Sequence, residues 1–506
     1  MKKIICVVCI FCLFFVSCTN EQKQDSEAWA PSTGSTIAQQ LHAFLGKQIS
    51  EQQLPGASIC MIDQDKTMLL KGYGKTRTEG DSITKNTLFQ IGTASRLFTS
   101  ALAGLMVEYR QFEWDSSVRE YLGDFSLQNP WVTQSFSFDD IVLERSGWTP
   151  QAGQFLPILG FDENYIMQHT KDFTVHSSFR DSYSPQNSMR LFLTKTISDT
   201  TGKNWEELLK TEITSKNNMD IVIGASEYYQ KELFAYPHYI DSEGTVHLFP
   251  VGSHAMMEIP ETMKAALGIS MDIDDAVQWL QLFLQQWAQP SNSDNLYGQN
   301  VFAELMQPVY RRGTGLFSEH SFCTRSGWVY ERVQTEDVYW CVGTGYGFSS
   351  LFLMIPSHHA GLVLLTNASN HNLHHEVASI FGKGYFDPAG IYTPSIEELE
   401  SSGQVPLKLI VDPLKPEAYQ GVYRHPIYGD IEVVNNLDNL GILLGQTKEF
   451  RELTHYSGDV YYFEDLKILP HKIYVSFQQE DSETIVSCTI DYMKDTNDPF
   501  FMKEND

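Results

Sequence analysis

A hydroxyl and a guanidinium lie three positions apart in the segment Leu88–Thr99, which reads LFQIGTASRLFT. Apolar residues recur at helical spacing after Ser95, so a helix with one buried face is predicted to begin there. Because positions i and i+3 of a helix share a face, Thr93 and Arg96 are expected side by side. The helix N-terminus also favours negative charge. The pair could therefore hold, or react with, a group that carries or develops negative charge.

Strand patterns lie at both ends of the first 385 residues, with helix patterns between them. The predicted strands are Gly56–Asp63, Thr67–Tyr73, Ser350–Ile355 and Ala360–Thr366. The predicted helices are 38–53, one that starts at Ser95, one within 183–211 that ends near Gly202, one over 271–289 and a last one that ends near Phe381. One antiparallel sheet could take its strands from both ends and be covered by the helices. This pattern predicts an α+β sandwich.

The C-terminal part has a different pattern. Residues 387–414 are rich in Pro, Gly and Ser and lack a period, which is typical of a linker. Residues 415–506 contain short strand-like runs at regular spacing, which predict a small antiparallel barrel or sandwich. The predicted strands there are Gly421–Tyr423, Gly429–Val434, Leu440–Leu444, Val460–Phe463, Lys472–Phe477 and Thr484–Ile490.

Several segments, in order and at suitable spacing, resemble serine β-lactamases and penicillin-binding proteins, and class C β-lactamase-related proteins in particular. They are Leu54–Ala57, Leu88–Thr99, Phe138–Gly147 with its final Ser-Gly, Ala265–Leu280, Gly347–Ser350 and Leu364–Asn367. The resemblance covers roughly residues 37–385, and the tail around Tyr419–Gly429 resembles a small β-domain often appended to such proteins. It implies a β-lactamase/transpeptidase-like antiparallel sheet covered by helices, followed by a small all-β barrel-like domain.

The first catalytic motif departs from this family. Where the family has a serine nucleophile, this chain has Thr93, and where it has a lysine three positions on, this chain has Arg96. Arginine stays protonated in proteins and cannot act as a general base. Threonine is a β-branched, more crowded hydroxyl, and it needs a base as well. Ser95 offers no better pairing, since Phe98 lies three positions after it.

The second family motif, Tyr-x-Asn, corresponds to Tyr183-Ser-Pro-Gln-Asn187. The resemblance gives Tyr183 the role of the family tyrosine in proton transfer, although it could also simply pack at a helix start. Pro185 occupies the asparagine position and has no side-chain donor. Asn187 could substitute for that asparagine if the loop is longer.

The third family motif, Lys-Thr-Gly or His-x-Gly, falls on Cys341-Val342-Gly343. A shifted register, Gly343-Thr344-Gly345, restores a Thr-Gly but no cation. In the first register the backbone N–H groups of Thr344 and Thr93 would form an oxyanion hole, which needs no particular side chain. Cys341 is predicted to be a partly buried thiol, because no base for it is evident in the sequence.

The N-terminus predicts export. A basic start is followed by an apolar run, Ile4–Val16, too short to span a bilayer and typical of a signal peptide. The ending Val16-Ser17-Cys18 resembles the lipobox of bacterial lipoproteins, so a lipid on Cys18 is expected to hold the protein at an envelope membrane. The predicted organisation is a signal (1–17), a lipidated tether (18–36), a β-lactamase-related domain (37–386), a linker (387–414) and a β-domain (415–506).

Composition limits the partners. The net charge of −27 argues against a nucleic-acid partner. The cysteines of the mature chain lack CxxC spacing, and His371-x-x-His374-His375-Glu376 lacks a second ligand cluster, so no metal and no cofactor are predicted. The expected partners are the membrane, through Cys18, and a cell-wall peptide or acyl ligand.

The altered motifs predict a degenerate hydrolase whose ligand-binding residues are Thr93, Arg96, Asn187, Gly343 and Thr344, because guanidinium geometry matches carboxylates. Thr93, Arg96, Tyr183 and Cys341 occupy the catalytic positions. Two alternatives stay open. The chain could be an active hydrolase of β-lactamase, DD-peptidase or esterase type that uses Thr93 or another nucleophile, or its main function could lie in the C-terminal β-domain.

Overall fold

The computed structural model describes residues 33–150, 152–241, 243–249, 259–369, 371–386, 412–436, 439–465, 469–481, 483–496 and 498–504. The predicted signal peptide, the lipidation site Cys18 and most of the predicted linker lie outside these residues. Within them, no helix has the length and hydropathy that crossing a bilayer requires.

The helices are, in chain order, α1 (Thr33–Ser50), α2 (Ser95–Glu108), α3 (Val118–Tyr121), α4 (Pro130–Ser135), α5 (Phe138–Val142), α6 (Phe155–Ile158), α7 (Glu163–His169), α8 (Met189–Thr201), α9 (Trp205–Leu208), α10 (Ala225–Tyr228), α11 (Lys264–Leu267), α12 (Ile273–Ala288), α13 (Gln299–Met306), α14 (Leu373–Gly382) and α15 (Pro416–Tyr419).

The strands are, in chain order, β1 (Gly56–Asp63), β2 (Lys66–Gly74), β3 (Phe89–Gln90), β4 (Val222–Ile223), β5 (His238–Ile240), β6 (Val246–Leu248), β7 (Ile269–Met271), β8 (Tyr310–Gly313), β9 (Ser321–Cys323), β10 (Val329–Val333), β11 (Glu336–Gly345), β12 (Phe348–Ile355), β13 (Ala360–Thr366), β14 (Ala368–Ser369), β15 (Gly421–His425), β16 (Gly429–Asn436), β17 (Asn439–Leu444), β18 (Glu449–Glu452), β19 (Thr454–Ser457), β20 (Val460–Asp465), β21 (Leu469–Gln479), β22 (Ile485–Ile490) and β23 (Phe501–Lys503).

The large domain is built on one eight-stranded sheet in the order β2-β1-β13-β12-β11-β10-β9-β8. The two ends of the domain meet near one edge of this sheet, where β1 pairs antiparallel with β13, Ala57 opposite Thr366. The predicted α+β sandwich with strands drawn from both ends is therefore confirmed.

Side chains of the central strands alternate between two cores, since successive residues of a strand point to opposite faces. Cys60 and Ile62 pack on the side of α2 and α12, where Phe98 stacks on Trp279 with ring centroids 4.0 Å apart. Ile59 packs on the other side, with apolar residues of α1 and α14. Helices cover both faces, so β12 and β13 are buried along their whole length.

The C-terminal domain is a nine-stranded sheet that forms a nearly closed barrel, in the order β18-β17-β16-β15-β23-β22-β21-β20-β19. The small all-β domain is therefore confirmed. Sequence patterns missed β18, β19 and β23, which are short and mix polar with apolar residues.

Two predicted helices have other bounds in the structure. Helix α1 begins at Thr33, inside the predicted tether, because its first turns already bury Ile37 and Ala38 and place Gly34 against Asp63. The helix predicted within 183–211 is α8, which begins only at Met189 and ends at the predicted place, where Gly202 adopts φ +68°. A left-handed residue at this position is a common helix terminator.

Two glycines allow β11 to lie directly against the turn that precedes α2. A Cβ on Gly343 would lie 2.1 Å from the Ile91 carbonyl oxygen and 2.7 Å from Cβ of Ala94. A Cβ on Gly92, whose φ is +57°, would lie 2.4 Å from the carbonyl carbon of Thr344. The contact is between backbones, so larger residues cannot be accommodated by a rotamer change.

We expect Gly343→Ala to lower the free energy of unfolding by about 1–3 kcal/mol, because the added methyl overpacks a rigid backbone contact. Gly46→Ala is the matched control: it lies inside α1, its Cβ would meet no atom within 4 Å, and a gain of up to about 1 kcal/mol is expected. Urea denaturation measures both. Equal stability of the two variants would contradict the close approach.

Candidate functional site

Thr93 lies in a 3-10 turn, Gly92–Ala94, at the entrance to α2. Ser95, the next hydroxyl, is buried and fully engaged. Its Oγ donates to the Gly92 carbonyl at 2.8 Å and accepts the Ile269 N–H at 3.0 Å. Ser95 thus fixes the turn, and the hydroxyl of Thr93 in this turn is half-buried. We call the space beside Thr93, between this turn and β11, the cleft.

The backbone of β11 supplies the other side of the cleft. The Thr344 N–H donates to Thr93 Oγ1 at 3.1 Å, and Thr344 itself is exposed. The turn and the sheet are also joined by Ser350, whose Oγ donates to the Ile91 carbonyl at 2.9 Å. This geometry corresponds to the register that aligns Cys341-Val342-Gly343 with the third family motif.

Arg96 does not point freely into the cleft, because two side chains bind it. Its Nη1 is 2.6 Å from Glu144 Oε1, and its Nη2 donates to Asn187 Oδ1 at 2.6 Å. The structure thus brings Asn187 to the first motif, while Pro185 contributes no polar side-chain atom. Glu144 is not among the residues predicted from the sequence, although it lies in the segment Phe138–Gly147 that carries part of the family resemblance.

Glu144 is a buried carboxylate, 4% exposed, with φ +53°, which is unusual for a residue other than glycine. Its carbonyl oxygen accepts the Ser184 N–H at 2.7 Å, which ties the loop of the second motif to this turn. Its carboxylate also lies 3.7 Å from Nη2 of Arg190, whose Nη1 donates to Ser100 Oγ at 2.8 Å. Burial lowers the pKa of Arg190 to about 10, so Arg190 remains charged at neutral pH.

The turn that carries Glu144 is anchored by two acidic residues of α5. Asp140 accepts from Arg145 Nε at 2.7 Å and from Arg180 Nε at 2.8 Å. Asp139 accepts from Arg325 Nε at 2.6 Å. These ion pairs hold the residues next to Glu144 and so stabilise its positive-φ conformation.

Tyr183 packs under Arg312 of β8, whose Cζ lies 5.1 Å from the Tyr183 ring centroid and 5.1 Å from that of Trp340. Burial, and next the charge of Glu144, raise the pKa of Tyr183. The hydroxyl is therefore protonated at neutral pH and can donate a hydrogen bond, but it is a poor acceptor for a proton.

Cys341 is buried on β11, on the side of the sheet that faces α2. Burial raises the pKa of its thiol to about 12, although the charges of Arg96 and Arg312 act in the opposite direction. Because the thiolate is the nucleophilic form, Cys341 has little nucleophilic character at neutral pH.

Several charged side chains lie near Cys341. They are the guanidiniums of Arg96, Arg190 and Arg312 and the carboxylate of Glu144. Among the described residues, the Nε atoms of all three arginines lack a hydrogen-bond partner. Carboxylates match the geometry of such donors.

Arg190 and Arg312 are the other residues that sequence reasoning missed. A signal existed for Arg190, since a charge inside the apolar run Met189–Leu193 of α8 is expected to need a buried partner. Arg312 carries no such signal, because it follows another arginine in a short strand.

The histidines of α14 lie together, with the His374 and His375 ring centroids 4.5 Å apart. No group of three or more metal-ligating side chains occurs in the parts of the chain that the structure describes. Burial lowers the pKa of His371 to about 4, and burial with the charges of His375 and His371 lowers that of His374 to about 3.

Family comparison agrees with this geometry. The Beta-lactamase family model matches residues 35–381, more than half of the chain, and the chain belongs to this family. The "domain of unknown function (DUF3471)" model matches residues 408–504. The family resemblance inferred from the sequence motifs, with its appended β-domain, is confirmed.

Curated relatives match only part of the chain. "Unguisins hydrolase ungD'" of Aspergillus campestris is 29% identical over 120 residues, which are 23% of this chain and 22% of that protein. Gigasin-6 of Magallana gigas is 26% identical over 172 residues, 33% of this chain and 57% of that protein. The chain thus spans less than two thirds of either relative.

Solved structures share the fold over most of the chain. The octameric penicillin-binding protein homologue from Pyrococcus abyssi superposes with a TM-score of 0.59 at 16% identity, covering 92% of this chain and 99% of that one. A tyrosine-to-phenylalanine mutant of a class C β-lactamase gives 0.56 at 17% identity, covering 70% and 99%. At these identities the likeness establishes the fold alone.

We expect Glu144→Gln to lower the free energy of unfolding by about 3–5 kcal/mol, because it leaves the charges of Arg96 and Arg190 buried without a counter-ion. Glu304→Gln is the control: Glu304 is 43% exposed and 3.8 Å from Arg325, so at most about 1 kcal/mol is expected. Urea denaturation measures the free energy of unfolding of both variants. A similar small decrease in both would show that the pairing of Glu144 with the arginines does not stabilise the fold.

We expect the free energy of unfolding to fall as pH drops from about 6.5 to 4, partly through His374. The unfolded chain binds protons at its histidines in this range while folded His374, with a pKa of about 3, does not, so acid favours unfolding. His374→Gln should reduce this slope, and substitution of the exposed His320 should leave it unchanged. Urea titrations at several pH values measure the slope. An unchanged slope in His374→Gln would contradict the assignment.

Proposed function

We propose that the β-lactamase-like domain binds, without efficient turnover, a ligand that ends in a carboxylate, such as a cell-wall peptide or an acyl compound. The observation that carries this proposal is the state of Arg96. It stands where the family lysine is expected. Its Nη1 forms an ion pair with Glu144 at 2.6 Å, and its Nη2 donates a hydrogen bond to Asn187 at 2.6 Å. A guanidinium held in this way cannot take the proton of Thr93.

The other candidate bases are equally unsuited to proton abstraction. The raised pKa values of Tyr183 and Cys341 keep both groups protonated at neutral pH. The carboxylate of Glu144 forms an ion pair with Arg96 and lies close to Arg190, and these positive charges make it a weak base. Loss of members of a catalytic unit reduces rates by many orders of magnitude, and the effects are not additive.

The features proposed to bind an oxyanion or a carboxylate do not require a general base. The Thr344 N–H points at Thr93 Oγ1, at the exposed mouth of the cleft. The positive charges of Arg96, Arg190 and Arg312 attract an anion, and their Nε–H groups are donors with no partner among the described residues. Carboxylates satisfy guanidinium donors with matching geometry.

A location at the cell envelope completes this proposal. The signal peptide and the lipid on Cys18 are predicted from residues outside the described ranges, and they would hold the domain at a membrane where cell-wall peptides occur. The membrane, through this lipid, and a cell-wall peptide or acyl ligand are the proposed partners. Mass spectrometry of the mature protein from a bacterial host tests the lipid, and an unmodified Cys18 would contradict it.

The binding test compares two forms of one peptide. We expect an acyl-D-alanyl-D-alanine peptide with a free C-terminus to bind the full chain in detergent, and the C-terminal amide to bind at least about tenfold more weakly, because it lacks the charged carboxylate. Arg96→Lys should remove most of this difference, since lysine cannot form a bidentate pair. Calorimetry gives the affinities, with circular dichroism as the folding control. Equal binding of acid and amide would reject the carboxylate site.

An active hydrolase that uses Thr93 is the second candidate. It is favoured by the position of Thr93 Oγ1 within hydrogen-bond distance of the Thr344 N–H, with partial access to solvent. It predicts a covalent adduct when the chain is incubated with penicillins or activated acyl esters, and Thr93→Ala should abolish that adduct. Intact mass distinguishes the candidates: no adduct in the folded protein supports binding without turnover.

A further inference from the structure

The C-terminal β-domain docks on the chain segment that joins two site motifs. Residues 148–182 begin directly after Gly147, the end of the motif that contains Glu144, and they end directly before Tyr183. Two hydrogen bonds to backbone carbonyls hold the middle of this segment to the β-domain. Tyr165 Oη donates to the Ile427 carbonyl at 2.7 Å, and the Gln446 N–H donates to the Leu159 carbonyl at 2.8 Å.

Asp495 of the β-domain makes the contact nearest to the site. Its Oδ2 accepts the Gly153 N–H at 2.7 Å, its Oδ1 accepts from Tyr428 Oη at 2.6 Å, and its carbonyl accepts the Thr174 N–H at 2.8 Å. Asp495 is only 4% exposed and Tyr428 only 2% exposed. One buried residue therefore links the β-domain to two points of the loop that it covers, to Gly153 through its carboxylate and to Thr174 through its backbone carbonyl.

Hydrogen bonds continue from this loop to the arginine of the cleft. Ser188 Oγ donates to the Ala152 carbonyl at 3.1 Å, next to Gly153, and Gln186 Nε2 donates to the Thr149 carbonyl at 3.0 Å. These two residues flank Asn187, whose Oδ1 accepts from Arg96. The position of Asn187 is thus set by the loop that Asp495 holds.

We infer that the C-terminal β-domain positions the ligand site, and that Asp495 is the positioning residue. Its carboxylate holds Gly153, and the neighbouring carbonyls of Thr149 and Ala152 hold Gln186 and Ser188. The asparagine between these two residues orients the guanidinium of Arg96. The effect on ligand affinity rests on the proposed function, whereas the effect on the geometry of the loops does not. The β-domain thus has a role in the site although, among the described residues, it supplies none to the cleft.

The chain contains a matched control. Asp459, in the same β-domain, also accepts from a tyrosine, with Tyr419 Oη 2.5 Å from its Oδ1. Its other side-chain partner is Gln479, which also belongs to the β-domain. Substitution of Asp459 therefore removes a comparable aspartate–tyrosine pair that does not connect to the segment 148–182.

The experiment compares Asp495→Ala, Asp495→Asn and Asp459→Ala in the full chain. Amide hydrogen exchange should accelerate at residues 147–153 and 184–190 in Asp495→Ala, remain near wild type in Asp495→Asn, whose side-chain oxygen can still accept from Gly153, and be unchanged there in Asp459→Ala. Exchange in α12 should be the same in all variants. Unchanged exchange in both segments of Asp495→Ala, or equal acceleration in Asp459→Ala, would overturn the inference.

Affinity for the free-acid D-alanyl-D-alanine peptide is the second readout. We expect Asp495→Ala to weaken binding about tenfold, the scale of one hydrogen bond to a charged group, and Asp495→Asn to restore most of it. If wild type binds neither form of the peptide, the proposed function fails and the exchange data alone decide the positioning role. If wild type binds and Asp495→Ala binds equally well, the positioning role is rejected.

Discussion

The site depends on one buried carboxylate. Glu144, on a positive-φ turn, pairs with Arg96 and lies near Arg190 in the interior of the large domain. A buried guanidinium without a counter-ion is strongly destabilising, so Arg96 requires an acid beside it. The ion pairs of Asp139 and Asp140 in turn fix the turn that presents this acid.

The backbone of β11 lies directly against the Thr93 turn, and Gly92 and Gly343 allow this approach. The position of the Thr344 N–H beside Thr93 therefore depends on backbone packing rather than on the residue types of the motif side chains. Members of one fold often differ in activity for this reason, since function resides in a few residues placed on a common scaffold.

Much of the fold could be predicted from the sequence, because long buried strands and periodic helices have clear patterns. Strand β1 and helix α2 begin at the predicted residues. Short mixed strands such as β18 lack such a pattern. The hydrogen bond between Arg96 and Asn187 could be anticipated from motif order. The roles of Glu144 and Arg312 could not, since neither spacing nor residue type indicates which distant charges share a buried cluster.

The pairing of Glu144 with Arg96 also limits what a single substitution can do to this site. A change of Arg96 to lysine would place the new ammonium beside the same carboxylate, which favours the protonated amine and raises its pKa. The lysine would therefore be a poor acceptor for a proton at neutral pH. A neutral amine would require removal of the acid as well, although loss of Glu144 alone leaves Arg96 without a counter-ion. Each partner therefore makes loss of the other alone unfavourable.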